Sequence, residues 1–187
     1  DGGNNRYTLH VDAMSRRTGD VAAPVDLSCT RGGVTSTARR ICNSASESMG
    51  GALGGTLFFD RGYLGASLST YDTRYGSVAE DEVDIRMRSS RLALEGELRE
   101  LGGWVQSLKA QFSRNDYRHT EFNAGVAGTL FKTQGNDLRL QARHARLGAL
   151  DGVLGLQLDD SEFSADGTEA YAPYSRTRSS AAFAHEE

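Results

Sequence analysis

The chain has 187 residues, a formal net charge of -4 and only two lysines, Lys109 and Lys132, among 21 cations. That balance lacks the excess of positive charge a nucleic-acid binder needs. No apolar run reaches the length of about 18 residues that a transmembrane helix requires, whereas a transmembrane β-strand needs only about 10 residues of alternating character.

Alternation is the dominant signal, and it marks strands with two unlike faces. In chain order, Tyr7, Leu9, Val11 and Ala13 alternate with Thr8, His10 and Asp12. Met49, Leu53 and Leu57 are interleaved with small and polar residues, and Leu64, Ala66 and Leu68 with Gly65, Ser67 and Ser69. Val83, Ile85 and Met87 alternate with Asp84, Arg86 and Arg88. After a phase change at Ser89-Ser90, Leu92, Leu94 and Leu98 alternate with Arg91, Glu95, Glu97 and Arg99. The same pattern follows through Leu108, Ala110 and Phe112, through Leu138, Leu140 and Ala142, and through Leu154, Leu156 and Leu158. The spacing predicts strands near 5–14, 48–59, 63–72, 83–99, 104–116, 128–144, 152–163 and 175–185.

The predicted connections alternate in length. Asp60-Arg61-Gly62, Leu101-Gly102-Gly103 and 145–151 are short, and polar loops at 15–47, 72–82, 115–127 and 160–174 are long. An outer-membrane barrel keeps that order, with short periplasmic turns and long outer loops. Phe58, Phe59, Tyr63 and Trp104 flank the short turns, and Tyr71, Tyr75, Tyr117, Phe122, Phe131 and Phe163 lie towards the long loops, as two interfacial girdles would. The expectation is an all-β protein: a segment of an antiparallel transmembrane β-barrel of about eight meander strands. Leu64, Leu68, Leu108, Phe112, Leu138, Leu140, Leu154 and Leu156 should share the lipid face. Glu95, Glu97, Lys109, Arg139 and Arg143 should line the lumen, with Lys109 facing Glu95 or Glu97 across the Gly102-Gly103 turn.

The residues also resemble a known family. Leu53-Gly54, Asp60-Arg61-Gly62-Tyr63-Leu64-Gly65-Ala66-Ser67 and Tyr71-Asp72-Thr73-Arg74-Tyr75-Gly76 look like early barrel strands of TonB-dependent outer-membrane receptors. Val83-Asp84-Ile85-Arg86-Met87 and Arg91-Leu92-Ala93-Leu94-Glu95-Gly96-Glu97 continue the likeness. Arg114-Asn115-Asp116-Tyr117-Arg118-His119-Thr120-Glu121 is similar to a segment of the zinc-uptake branch. The resemblance covers roughly 48–187. It implies a 22-stranded barrel with an N-terminal plug, of which 1–187 would be a part of the wall with the plug absent. It also implies a bacterial outer-membrane location, contact with outer-membrane lipid, energy coupling through the periplasmic TonB protein, and uptake of a metal ion or metal complex, zinc being the implied transported substrate rather than a resident cofactor.

In that oxidising compartment Cys29 and Cys42, in the longest loop, are expected to form a disulfide, worth about 3 kcal/mol in the chain-entropy model. His119, Glu121 and Asp116 cluster in the sequence at the outer end of a strand and offer nitrogen and oxygen donors to zinc. His10, His144 and His185 stand apart and read as structural. No GxSxG, phosphate loop or cleft-bound carboxylate pair occurs, so an enzyme is not expected. The competing architecture is a closed eight-stranded barrel binding a small ligand, in which the strand near 175–185 would pair with that near 5–14.

Overall fold

The computed structural model describes residues 1–168 and 170–186. Among the described residues eleven strands form two antiparallel sheets: β1 Gly2–Gly3, β2 Tyr7–Thr18, β3 Val21–Arg31, β4 Val34–Ile41, β5 Ser46–Phe59, β6 Gly62–Gly76, β7 Val83–Arg99, β8 Val105–Asn123, β9 Val126–His144, β10 Gly152–Asp166 and β11 Ser175–Glu186. The large sheet runs β1-β2-β5-β6-β7-β8-β9-β10-β11, and β3 and β4 form a separate hairpin. Its eight long strands are therefore a meander, each hydrogen-bonded to the next. The sheet is open: β11 pairs with β10 and not with β2, which removes the pairing that a closed eight-stranded barrel requires.

Two segments expected to be long loops are largely strand. The segment 15–47 carries the end of β2, the β3–β4 hairpin and the start of β5. Short polar hairpins have no buried face, so they leave no hydrophobic alternation to read. Between β8 and β9 the segment 115–127 is a continuous hairpin whose tip is only Ala124 and Gly125. Both tip residues have positive φ, 48° and 82°, as a two-residue turn that matches strand twist needs. The strands thus run well past the end of the leucine pattern. The β3–β4 hairpin is closed by the Cys29–Cys42 disulfide and rests on the 77–82 connection. There the Thr30 amide donates to Asp81 at 2.9 Å, and Asn43 Nδ2 donates to the Ser77 carbonyl at 3.0 Å.

The register assigns the faces. Leu57, Leu64, Gly96, Ala110, Leu140, Leu156 and Ala182 lie in one cross-strand row, and Gly55, Ala66, Leu94, Phe112, Leu138, Leu158 and Ser180 in the next. All eight leucine and phenylalanine positions expected to share a face do so. Most leucines of this face are exposed, from 37% at Leu154 to 61% at Leu57, while Phe112, Leu138 and Leu140 are half-buried. The buried side chains are instead mostly polar, Ser48, Ser113, Thr129 and His144, and the only buried apolar side chains among the described residues are those of the two cysteines. An ordinary water-soluble β-protein buries one face of its sheet on a hydrophobic core; here the apolar face is the open one.

Candidate functional site: the polar face

Opposite the leucines, Tyr63, Glu95, Glu97, Lys109, Gln111, Arg139 and Arg143 occupy neighbouring positions of β6–β9. Glu95 is the hub. Tyr63 donates its hydroxyl to one carboxylate oxygen, Gln111 Nε2 donates to the other at 2.5 Å, and Lys109 Nζ lies 3.0 Å from Oε1. The backbone register sets Lys109 opposite Glu97, yet the side chain leans diagonally to Glu95, because Arg99 takes Glu97 at 2.8 Å. Arg143 pairs with Asp151 at 3.0 Å. Arg139 lies over Phe183, 4.8 Å from guanidinium carbon to ring centroid, and its buried Nε has no hydrogen-bond partner. Phe183 in turn covers Gly155, where any Cβ would collide with the ring. A hollow of about 890 Å³ opens beside this network, its floor made of small residues including Gly54, Gly65, Ser67 and Ala93. The partners Tyr63 and Gln111 escape a reading of the sequence for charged pairs. Their signal is shared parity, across the 77–82 connection for Tyr63 and across the Gly102-Gly103 turn for Gln111, visible only once the register is fixed.

Nearer the long-connection end the polar face changes character. Tyr71, Met87, Tyr117, His119, Phe131 and Phe163 all face the same side as Glu95 and Lys109. His119 stacks on Phe131 at 4.5 Å and meets Tyr117 edge-on at 5.5 Å. This corrects the outer girdle: of the aromatics assigned to it, Tyr71, Tyr75, Tyr117, Phe131 and Phe163 point away from the leucine face, and Phe122 alone shares it, beneath Arg86 at 4.1 Å. Meanwhile the leucine face becomes charged, with Asp72, Arg74, Asp84, Arg86, Arg88, Arg114, Asp116 and Arg118. The apparent phase change at Ser89-Ser90 is thus no slip of the strand. Pairing is unbroken from Asp84 to Leu98 on the β6 side and from Val83 to Arg99 on the β8 side, and the two faces exchange polarity at that height.

The sequence cluster of three candidate metal donors separates. His119 Nε2 lies 4.0 Å from Glu121 Oε1, but Asp116 is on the opposite face, ion-paired with Arg114 at 3.3 Å. An odd spacing of three along a strand puts residues 116 and 119 on opposite sides. Among the described residues no three His, Cys, Asp or Glu side chains converge to hold a metal ion. Burial in the aromatic cluster lowers the His119 pKa, with the Glu121 charge acting weakly the other way. His144 is packed against Trp104, its Nε2 3.0 Å from Glu186, at the short-turn end.

No protein-family model matches the chain. The class that the fold defines is therefore a physical one: an open antiparallel meander with one face apolar towards the short turns and charged towards the long connections.

Proposed function

We propose that the chain is wall of a transmembrane β-barrel in a bacterial outer membrane, the leucine face against lipid and the polar face against the lumen. The shape of the apolar band carries this reading. Counted from the short turns, the unbroken apolar run ends at Ala13 on β2, Met49 on β5, Leu68 on β6, Leu92 on β7, Phe112 on β8, Leu138 on β9, Leu158 on β10 and Ala182 on β11, and Phe122 and Leu130 stand alone beyond it. Carried through the register, that edge drifts by about one residue per strand. One residue rises about 3.4 Å and strands lie about 4.8 Å apart, so the edge is inclined about 35° to the hydrogen-bond rows. A flat membrane surface cuts strands tilted by about 35–45° along such a line. A protein core has no reason to end on an edge that descends from strand to strand in this way.

The finer reading is a TonB-dependent receptor segment that takes up a metal ion or metal complex, with TonB acting through a plug. It rests on the residue resemblance, and His119 and Glu121 supply two of the donor atoms such cargo needs. No catalytic chemistry is involved in this role.

The membrane reading is tested by single tryptophans in a Trp104→Phe background, with the chain refolded into vesicles of brominated phospholipid. Emission from Leu94→Trp should be strongly quenched and that from Ser67→Trp should not. Equal quenching at both sites would refute the face assignment. The cargo is tested by calorimetric zinc titration of the intact receptor and of its His119→Ala/Glu121→Ala variant. Weakened binding in the variant supports it, and unchanged affinity removes both residues from the site.

A further inference from the structure

At the short-turn end His144 and Glu186 meet, although their strands are not neighbours. β11 pairs with β10, and β10 with β9. Glu186 is opposite Gly152, and Gly152 stands level with His144, because Val153 is opposite Arg143. The Glu186 carboxylate crosses above Gly152, where a Cβ would meet both it and the His185 carbonyl oxygen. His144 Nε2 is 3.0 Å from each oxygen of that carboxylate, and Nδ1 is 2.8 Å from the Ala145 carbonyl oxygen. His144 is 3% exposed and its ring stacks on Trp104, with centroids 5.8 Å apart. This row lies one step outside the apolar band, whose nearest members are Ala142, Leu154 and Ala184.

A neutral imidazole carries one N–H and one lone pair. Both ring nitrogens of His144 face acceptors, so the arrangement is satisfied only by a ring bearing two protons. A carboxyl group of pKa about 4.3 yields its proton to an imidazole of about 6.5, so the pair is imidazolium and carboxylate. We infer that His144, Gly152 and Glu186 form a proton-operated clasp that fastens the end of edge strand β11 to β9 and lets it go when His144 loses a proton. Ala145 is fixed, its own amide donating to the Trp104 carbonyl at 2.6 Å. The remaining proton therefore stays on Nδ1, and the Nε2 lone pair turns against the Glu186 carboxylate, which withdraws. The other charges near the ring are Asp151, held by Arg143 at 3.0 Å, and Arg146, engaged with the Gly148 carbonyl at 3.1 Å. Glu97, Arg99 and Glu100 border the same hollow, whereas Trp104 and Gly152 carry no titrating group. The Ala145 carbonyl and then Glu186 raise the His144 pKa above the ordinary imidazole value. Such a group contributes stability that is complete below its unfolded pKa near 6.5 and is lost as pH rises through the folded one. The clasp is closed in mildly acidic medium and opens in alkaline medium. Nothing in this geometry depends on what covers the leucine face.

The test is hydrogen exchange of the folded full chain at about pH 5.5 and about pH 9, either side of the ordinary imidazole value, with rates corrected for the intrinsic effect of pH. Losing one charge-assisted hydrogen bond should make amides of 180–186 exchange about tenfold faster at the higher pH. Amides of 175–179 should not change, because Arg176 holds that end of β11 to Asp160 at 2.5 Å and Glu162 at 3.2 Å, and these groups keep their charge throughout. Glu186→Gln, which keeps an acceptor and removes the charge, should move the opening to lower pH. His144→Gln should abolish the pH dependence. In the unaltered chain, nitrogen-15 spectra at about pH 5.5 should show an N–H at both ring nitrogens of His144. A ring with a single proton there overturns the inference, as does equal protection of 180–186 at both pH values, or a pH dependence that survives in His144→Gln.

Discussion

Replacing Leu94 by Arg separates a lipid-facing band from a merely exposed one. Leu94 lies within the apolar stretch of β7, between Ala66 on β6 and Phe112 on β8, and is 40% exposed. In water a substitution at so open a position on a sheet surface would cost within about 0.5 kcal/mol either way. At the middle of a bilayer an arginine on the lipid face of a β-barrel costs about 2–4 kcal/mol, falling to about 0–1 near the interfaces. With a urea slope of about 2 kcal/mol per molar, Leu94→Arg should lower the unfolding midpoint by about 1–2 M. Arginine at Leu92, on the edge of the band, should shift it much less, and Ser67→Arg on the polar face should leave it nearly unchanged. The assay is urea-dependent folding of the chain into phospholipid vesicles, followed by tryptophan emission. If Leu94→Arg and Ser67→Arg shift the midpoint equally, the inside-out assignment is wrong.

Three other outcomes are expected. Reduction of Cys29–Cys42, or Cys29→Ser with Cys42→Ser, should release up to about 3 kcal/mol of restraint on the β3–β4 hairpin; hydrogen exchange should accelerate there and not in β6–β9. A double-mutant cycle on Glu95 and Lys109, both about one-third exposed, should give a coupling of about 0.2–1 kcal/mol, and a coupling of zero would mean that Tyr63 and Gln111 alone hold Glu95. His119 should titrate by NMR below the ordinary imidazole value. A group held neutral in the fold contributes stability that is complete above its unfolded pKa near 6.5 and is lost as pH falls towards its lowered folded pKa. His119→Phe should therefore flatten the stability profile between those two values, and an unchanged profile would show that another group causes it.

The sequence by itself determined the long strands and the chemistry of each face. Leu92, Leu94 and Leu98 against Glu95, Glu97 and Arg99 can be sorted from the letters alone, because side-chain period in a strand is two. The ion pair of Lys109 was narrowed to Glu95 or Glu97 by the same parity and by the turn at Gly102-Gly103. Only the tertiary structure chose Glu95, since Arg99 competes for Glu97 and Tyr63 and Gln111 arrive from other strands. It alone showed that strands continue through 15–47 and 115–127, where neither face is uniformly apolar and alternation fades. Once β8 is known to run unbroken through both, parity separates Asp116 from His119, and the register turns Tyr71, Tyr117, Phe131 and Phe163 away from the leucines. Aromatic residues near strand ends look alike in sequence on either face. The exchange of polarity at Ser89-Ser90 is ambiguous for the same reason: a one-residue slip and a change of surroundings produce the same pattern of letters, and only unbroken pairing to both neighbours distinguishes them.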